Sequence, residues 1–564
     1  MPGRPARHPD PVRPAATRGS RVTLWLLLIA AVALNACGRR ESPVDVAARE
    51  GILLINNADD ISDLDPHVVT GVPEHNVIDA LLEGLVRLDP RDLAPLPGMA
   101  ERWEISPDGL EYTFHLRRDA LWSNGDPVVS RDFLLSHRRI LTPSLAAQYA
   151  NMLFVVTNAE AYFNGSVTNF AKVGFEAPDP HTYRIRLNAP TPYFLGMIGY
   201  HYSWYPVHIP TVERFGGMAR KGTRWTRPEN FVGNGPFVLR EWRIGRHMLV
   251  EKNPLYWDAD RVRLNGIRFH PITSLETEEN AFRAGQLHVT YEVPRPKLDW
   301  WRTHRPDELR IDPYLGVYFY RINVTRPGLS DPRVRRALAL AIDRPGLVTT
   351  ILRDGSLPAY HVVPPGLRGY SSPVFAQATD LEEARRLLAE AGHPGGAGLP
   401  ELEIHFNTSE KHRAIAEAIQ EMWRRGLGVR TTLANTEWKV YLDQQRTLDY
   451  QISRAGWIGD YIDPNTFLEM WKTGDGNNNT GWSHAGYDQL LEAAAREFDP
   501  QRRLAIMAQA EVILLEELPI LPIFFYVKPY LVHPSVRDWT GNLHALFPYR
   551  EAYFAPSPGP LSSR

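Results

Sequence analysis

Enzymatic chemistry needs a nucleophile, a base or a metal-binding set at a workable spacing, and this chain carries none of the common ones. It has no His-Glu-x-x-His, no Gly-x-Ser-x-Gly turn and no Gly-x-x-x-x-Gly-Lys-Ser/Thr loop. Gly233-Asn234-Gly235 lacks the third glycine of a dinucleotide turn, because Val238 stands there. The 19 histidines are scattered, and His405 and His412 do not form a metal pair. The single cysteine, Cys37, leaves the rest of the chain without a disulfide, a cysteine-based zinc site or a thiol nucleophile. These residues point away from catalysis. What remains is a pair of carboxylates, Asp460 and Asp463, in Gly-Asp-Tyr-Ile-Asp-Pro. On that motif alone, the simplest role is a loop carboxylate capping a turn.

The elements around these residues read as interleaved strands and helices. Tyr112, Phe114 and Leu116 alternate with polar neighbours, as do Tyr183, Ile185 and Leu187, which predicts half-buried strands. Asp331-Pro332 predicts a helix start, with Val334, Leu338, Ala341 and Ile342 on one face. Asp380, followed three residues later by Glu383, predicts a second, which Gly392 and Pro394 stop. Interleaving of this kind favours an α/β fold. With 564 residues the chain has room for several domains, at roughly 150 residues each. Its hydrophobic content of 43% and charged content of 23% are globular rather than disordered. A net charge of -2 gives no basic field for nucleic acid.

The N-terminus has its own pattern. Arg4, Arg7, Arg13, Arg18 and Arg21 precede an apolar run from Leu24 to Leu34. That run is far shorter than the roughly 20 residues of a membrane-spanning helix and reads as a secretory signal. It ends in Leu34-Asn35-Ala36-Cys37, which resembles a lipoprotein signal with Cys37 as the lipidated residue; a plain signal peptide with an incidental cysteine is the alternative. Residues 38–49 are polar and charged, as expected of a tether.

Three long segments resemble the family-5 extracellular solute-binding proteins, which bind peptides, opines or nickel. The first, Ala100 to Gly125, has the Trp, the Ser-x-Asp-Gly turn, the Tyr-Thr-Phe-x-Leu-Arg strand and the Trp-Ser-x-Gly turn. The second, Gly233 to Asp258, has Gly-Pro-Phe and ends in Asn-Pro-x-Tyr-Trp. The third is Asp331 to Arg344. Within the family, Thr70 to Leu85, Phe406 to Ala416 and above all Ser453 to Trp471 are similar to the oligopeptide-binding branch.

The resemblance implies a periplasmic-binding-protein-like fold (type II, cluster C): two α/β lobes joined by a hinge, plus an extra α+β domain. Mapped on this chain, 1–37 is the signal, 38–49 the tether, 50–85, 210–311 and 528–558 the first lobe, 86–209 the extra domain and 312–527 the second lobe. It implies a monomer without cofactor that encloses short peptides between the lobes and passes them to an ABC permease and ATPase. Other solutes, including murein peptides, and a surface receptor not coupled to import stay open.

A peptide is a zwitterion with unpaired amides, so a receptor must supply a carboxylate, a cation and backbone partners. The resemblance gives the ammonium to Asp460, with Trp457 walling a side-chain pocket. It gives the peptide carboxylate to Arg454 and His412, and backbone contacts to Asn407, Gly71 and Val72, with Tyr149 lining a pocket. Two departures stand out. Arg321 replaces an acidic pocket residue of enterobacterial relatives, which predicts altered side-chain preference, with acidic side chains favoured there. The cysteine pair those relatives carry near Gly316 and Ile458 is missing.

Overall fold

The structure is a computed structural model that describes residues 41–555, together with the isolated Gly3. The signal segment and its Cys37 therefore lie outside the described residues. The tether expectation needs correction at its C-terminal end, because Pro43–Glu50 is a helix. Ser42 caps it by accepting from Asp45 N–H, and Gly51 ends it at φ 73°. Val44 and Ala47 are buried with Leu54, so the polar face hid a short amphipathic helix that docks on the first lobe.

The strands expected from alternation form. Glu111–Leu116 buries Tyr112, Phe114 and Leu116, and Thr182–Arg186 buries Tyr183 and Ile185. They pair antiparallel at the centre of a four-stranded sheet with Ala100–Ile105 and Phe175–Asp179 at its edges. Asp331 caps the helix Pro332–Leu340. Asp380 caps Leu381–Glu390 by accepting from Glu383 N–H, but only half the expected box closes: Asp380 N–H donates to Leu340 O, and Glu383 pairs with Arg386.

Two further sheets organise the molecule. In the first, Ile52–Asn56 runs parallel to Gly266–His270, followed by His247–Lys252 and Phe237–Arg243. The second is a mixed six-stranded sheet, ordered Leu357–Pro358, Ile520–Leu531, Leu309–Ile322, Ile452–Ile458, Leu402–Asn407 and Thr431–Thr436. The hydrophobic core of the first sheet is continuous with that of the 100–186 sheet, whereas the six-stranded sheet has its own. Buried Arg139 joins the first two units through a two-pronged pair with Asp65, at 2.8 and 2.5 Å.

Two cores joined by few strands make a hinge. Leu309–Ile322 and Ile520–Leu531 run antiparallel from one body into the other, and their register breaks between Pro313 and Val317. Beyond that break, residues 315–322 are all buried and rich in aromatic and β-branched side chains, as central strands covered on both faces are. Before it the strand is half-exposed. The flexible point therefore lies at the edge of the second core.

Candidate functional site

The cleft at this hinge is built around the end of the 452–458 strand. Gly459 turns the chain away, donating its N–H to Leu315 O at 2.8 Å; a Cβ there would sit 2.6 Å from Leu315 Cδ2. Buried Thr466 then accepts at one oxygen from both Trp457 Nε1, 3.3 Å, and Asp460 N–H, 3.2 Å. Asp463 is held from behind by Arg503 through two bonds of 2.7 Å, and accepts from Asn465 N–H at 2.9 Å. The two carboxylates of the motif thus divide. Asp463 is the turn and anchor residue. The Asp460 carboxylate has no hydrogen-bond or ion-pair partner among the described residues. The residue as a whole is exposed, yet its carboxyl is recessed enough that burial raises its pKa.

Across the cleft stands Tyr149. Its hydroxyl donates to Thr70 O at 3.4 Å, and its ring meets His201 edge-on at 4.5 Å. Burial raises its pKa, and the charge of Asp460 raises it further. Next along this wall, Gly71 caps the helix Val72–Leu81, and Val72 is 52% exposed. Neither residue's N–H has an acceptor among the described residues, so both are open to a ligand.

Arg454, Asn407 and His412 gather around Tyr318. Arg454 Nη1 donates to Asn407 Oδ1 at 3.4 Å and its guanidinium lies 5.0 Å from the Tyr318 ring centre. His412 Nδ1 is 3.3 Å from Tyr318 Oη. Tyr318 stacks on Phe524 at 4.6 Å, and Lys411 Nζ lies 4.8 Å over that ring and 5.6 Å over Tyr526. Burial, then the charges of Arg454, Lys411 and Arg295, hold His412 down to about 3, so it is a neutral ring at physiological pH. Burial and Arg295 push Lys411 down to about 8.

Arg321 does not join this group. Strand alternation puts it on the sheet face of Phe319 and, by register, Trp457 and Ser453, away from Tyr318 and Arg454. It is 6% exposed, between Phe319 and Trp471, with Nη1 3.5 Å from Gln445 Oε1 and no acidic partner. Gly316 and Ile458 stand directly opposite each other, and the Ile458 side chain fills the space a Gly316 Cβ would take.

Sequence reasoning missed Thr466, Lys411, Arg295 and the Tyr318–Phe524–Tyr526 platform. Lys411 had a signal in standing next to His412. Arg295 had none, since only the fold brings it near. A cavity of about 320 Å³ spans the cleft, with Val72 and Asp79 on one wall, Lys411, Ile458 and Tyr526 on the other and Arg295 beside the crossing strands. A larger cavity of about 760 Å³, lined by Arg87, Arg117, Trp257 and Arg550, contains none of the expected residues. Arg550 there is already paired with Glu83 and Asp258.

Residues 94–479 match the model of the bacterial extracellular solute-binding proteins, family 5 Middle. The chain is 36% identical to the periplasmic oligopeptide-binding protein OppA of Salmonella typhimurium over 525 residues, covering 92% of this chain and 95% of that protein. Among solved structures, the unliganded open form of the murein tripeptide-binding protein MppA superposes with a TM-score of 0.83 at 32% identity, covering 90% of this chain and 98% of that one. Haemophilus influenzae OppA in complex with the peptide RPPGFSPFR gives 0.68 at 34% identity, covering 90% and 99%. The two α/β bodies, the crossing strands and the length of these matches lead to one assignment: the chain belongs to the family-5 bacterial extracellular solute-binding proteins.

Proposed function

We propose that this protein captures short peptides between its lobes and delivers them to an ABC importer, from a position outside the cytoplasm where a lipid on Cys37 tethers it. The names of the relatives, oligopeptide-binding and murein peptide-binding, support the ligand class. No described helix is long and apolar enough to cross a membrane, so attachment rests on the N-terminal segment.

The observation that carries the reading is the unpartnered Asp460, six residues along the chain from the cation of Arg454. At about 3.3 Å per strand residue these positions are at most about 20 Å apart. An extended peptide covers about 3.3–3.6 Å per residue. The two ends of a tri- to pentapeptide fit that span once the side chains reach inward. Between them the free N–H groups of Gly71 and Val72 serve the peptide backbone, and Trp457 and Tyr149 flank its first residues.

The test is a thermal shift series. A ligand at a hundredfold excess over its Kd stabilises the folded state by about 2.7 kcal/mol. Tri- to pentapeptides should raise Tm and free amino acids should not. Equal shifts from N-acetylated and free peptides would defeat the assignment of the ammonium. Murein peptides are the second reading, favoured by the MppA superposition; they enter the same series.

A further inference from the structure

The turn that carries Asp460 is touched from outside its own body. Tyr461, the next residue, is buried, and its ring lies flat on that of Tyr193, 4.0 Å between centres and 8° from parallel. Tyr461 thereby enters the core of the first two units, although it stands on a turn of the six-stranded body. Tyr193 comes from the unit of the 100–186 sheet, and its mount is stiff. Pro190 and Pro192 precede it, each with a fixed φ. The helix Phe194–Tyr200 follows, and Phe194 is fully buried against Tyr112 and Trp204, at 4.7 and 5.4 Å between ring centres. On the other side of the stack, Tyr461 Oη donates to Glu469 Oε1 at 2.7 Å. Asn465 Nδ2 donates to Tyr461 Oη at 3.1 Å and to Glu469 Oε2 at 2.5 Å. The Tyr461 ring is thus fixed at its edge by its own body and on its face by the neighbouring one. The interface around it is thin. A cavity of about 520 Å³ lies between the two bodies beside the stack, with Pro190 and Tyr193 on one wall and Asn465 and Glu469 on the other. A second aromatic contact across it is Phe498, whose Cε1 stands 2.4 Å from where a Cβ on Gly109 would sit.

Asp460 therefore sits between fixed points. Its N–H is held by Thr466 and the next ring by Tyr193, while its carboxylate is left without a partner. The unit that carries Tyr193 also brings Tyr149 within electrostatic reach of that carboxylate. We propose that Tyr193 is a positioning residue for the ligand's ammonium: its ring holds Tyr461, and so keeps the Asp460 carboxylate in its binding position before a ligand arrives. This inference rests on the peptide-binding reading. The gain is one of preorganisation. A carboxylate on a loose turn samples orientations that a ligand must freeze out, and a turn set in advance removes that cost. A stacked aromatic pair is worth about two- to tenfold in an equilibrium constant beyond the area it buries, which sets the size of the effect.

The experiment is a double-substitution cycle, read by calorimetric titration of the full chain with Ala-Ala-Ala. The proteins are the native one, Tyr193→Ala, Asp460→Asn and the two combined, with Tyr193→Phe and Phe498→Ala as companions. Tyr193→Ala should weaken binding about two- to tenfold in the native background, and by less than about twofold where Asp460 is already asparagine. Tyr193→Phe keeps the ring and gives up the contact of its hydroxyl with Tyr461, and should stay within about twofold of native. Phe498→Ala loosens the same interface at Gly109 and should leave the Kd unchanged. An equal loss from Tyr193→Ala in both backgrounds assigns the residue to the fold alone and overturns the inference, as does an unchanged or tighter Kd. A loss from Phe498→Ala as large as that from Tyr193→Ala overturns it too, since any loosening would then suffice. In these cases Ala-Ala-Ala still binds the native protein, so the peptide reading stands. If Asp460→Asn binds as the native protein does, the ammonium has another partner and the inference falls with that assignment. If Ala-Ala-Ala does not bind the native protein, both readings fall together.

Discussion

Replacing Asp460 with asparagine removes one charge and little volume from the Gly459–Pro464 turn. The main-chain anchor of this residue, its N–H to Thr466, is untouched by the change, and the anchor of the loop is the Asp463–Arg503 pair. Unit charges about 4 Å apart interact by about 4 kcal/mol at an effective dielectric constant of about 20. Truncating one member of an enclosed pair costs about 2–5 kcal/mol, because the other is left desolvated. At 1.4 kcal/mol per tenfold, Asp460→Asn should weaken tripeptide binding by roughly 30-fold to a few thousand-fold. The free protein should behave oppositely. Burial raises the Asp460 pKa, so at neutral pH its ionised form opposes folding, a penalty relieved as pH falls through that raised value. The variant should melt at the same temperature as the native protein or higher. The assay is a cycle of two proteins against Ala-Ala-Ala and its N-acetylated form. Binding of the acetylated peptide should be weak in both proteins and no worse in the variant. A native-like Kd for Ala-Ala-Ala in Asp460→Asn, with unchanged melting, refutes the pairing.

Affinity should pass through a maximum with pH. It falls on the acid side as Asp460 protonates, by at most about tenfold per pH unit, and on the alkaline side as the ligand's α-amino group, near pKa 8, loses its proton. Titration calorimetry at several pH values measures both limbs; an affinity flat from pH 4 to 7 removes Asp460 from the site. Breaking the buried Asp463–Arg503 pair by Arg503→Met strands a carboxylate and should cost about 3–5 kcal/mol in the second lobe, seen in urea unfolding together with weaker peptide binding. Gly316→Cys with Ile458→Cys should oxidise readily, since directly opposed antiparallel residues lie about 4.5–5.5 Å apart at Cα, within disulfide range; mass spectrometry of the thiols decides it.

Local rules made much of the scaffold readable. The strands at 111–116 and 182–186 follow from period-two alternation, and the caps at Asp331 and Asp380 lie where their side chains can take the free N–H groups of a helix start. The helix at Pro43–Glu50 had its signals too, a serine before proline and apolar Val44 and Ala47 three apart, but polar composition outweighed them. The site divides along the same line. Residues in one segment, 453–466, could be singled out together. Residue types alone did not say which of Asp460 and Asp463 is free, because Arg503 settles it from 40 residues away; only the family resemblance singled out Asp460. The charge cluster was invisible for the same reason: Arg295, Asp354, Lys411 and Arg454 come from four separate segments. The face occupied by Arg321 follows from its alternation with Tyr320, yet which face meets the ligand is a property of the assembled lobes.

On the peptide-binding reading, the same pair of charge sites should also reject the smallest ligands. The Asp460 carboxylate has no cation paired with it, and Arg454 has no acid within ion-pair distance among the described residues. Closing the lobes on water alone would desolvate both without pairing either, at several kcal/mol per ion. On the peptide-binding reading, closure should therefore be favoured only when a ligand carries the missing charges to both ends. A free amino acid has both charges, but its ammonium and carboxylate are separated by one Cα, whereas Asp460 and Arg454 stand six residues apart in the chain, so it should reach only one of them. It pairs one end and leaves the other exposed to the full cost of closure. A dipeptide remains short, while three to five residues reach both. Length selection then needs no dedicated contact, since the distance between two unsatisfied charges performs it. Small-angle scattering should show compaction with tripeptides and none with saturating alanine; compaction by alanine would mean that closure is driven by something other than charge pairing at the two ends.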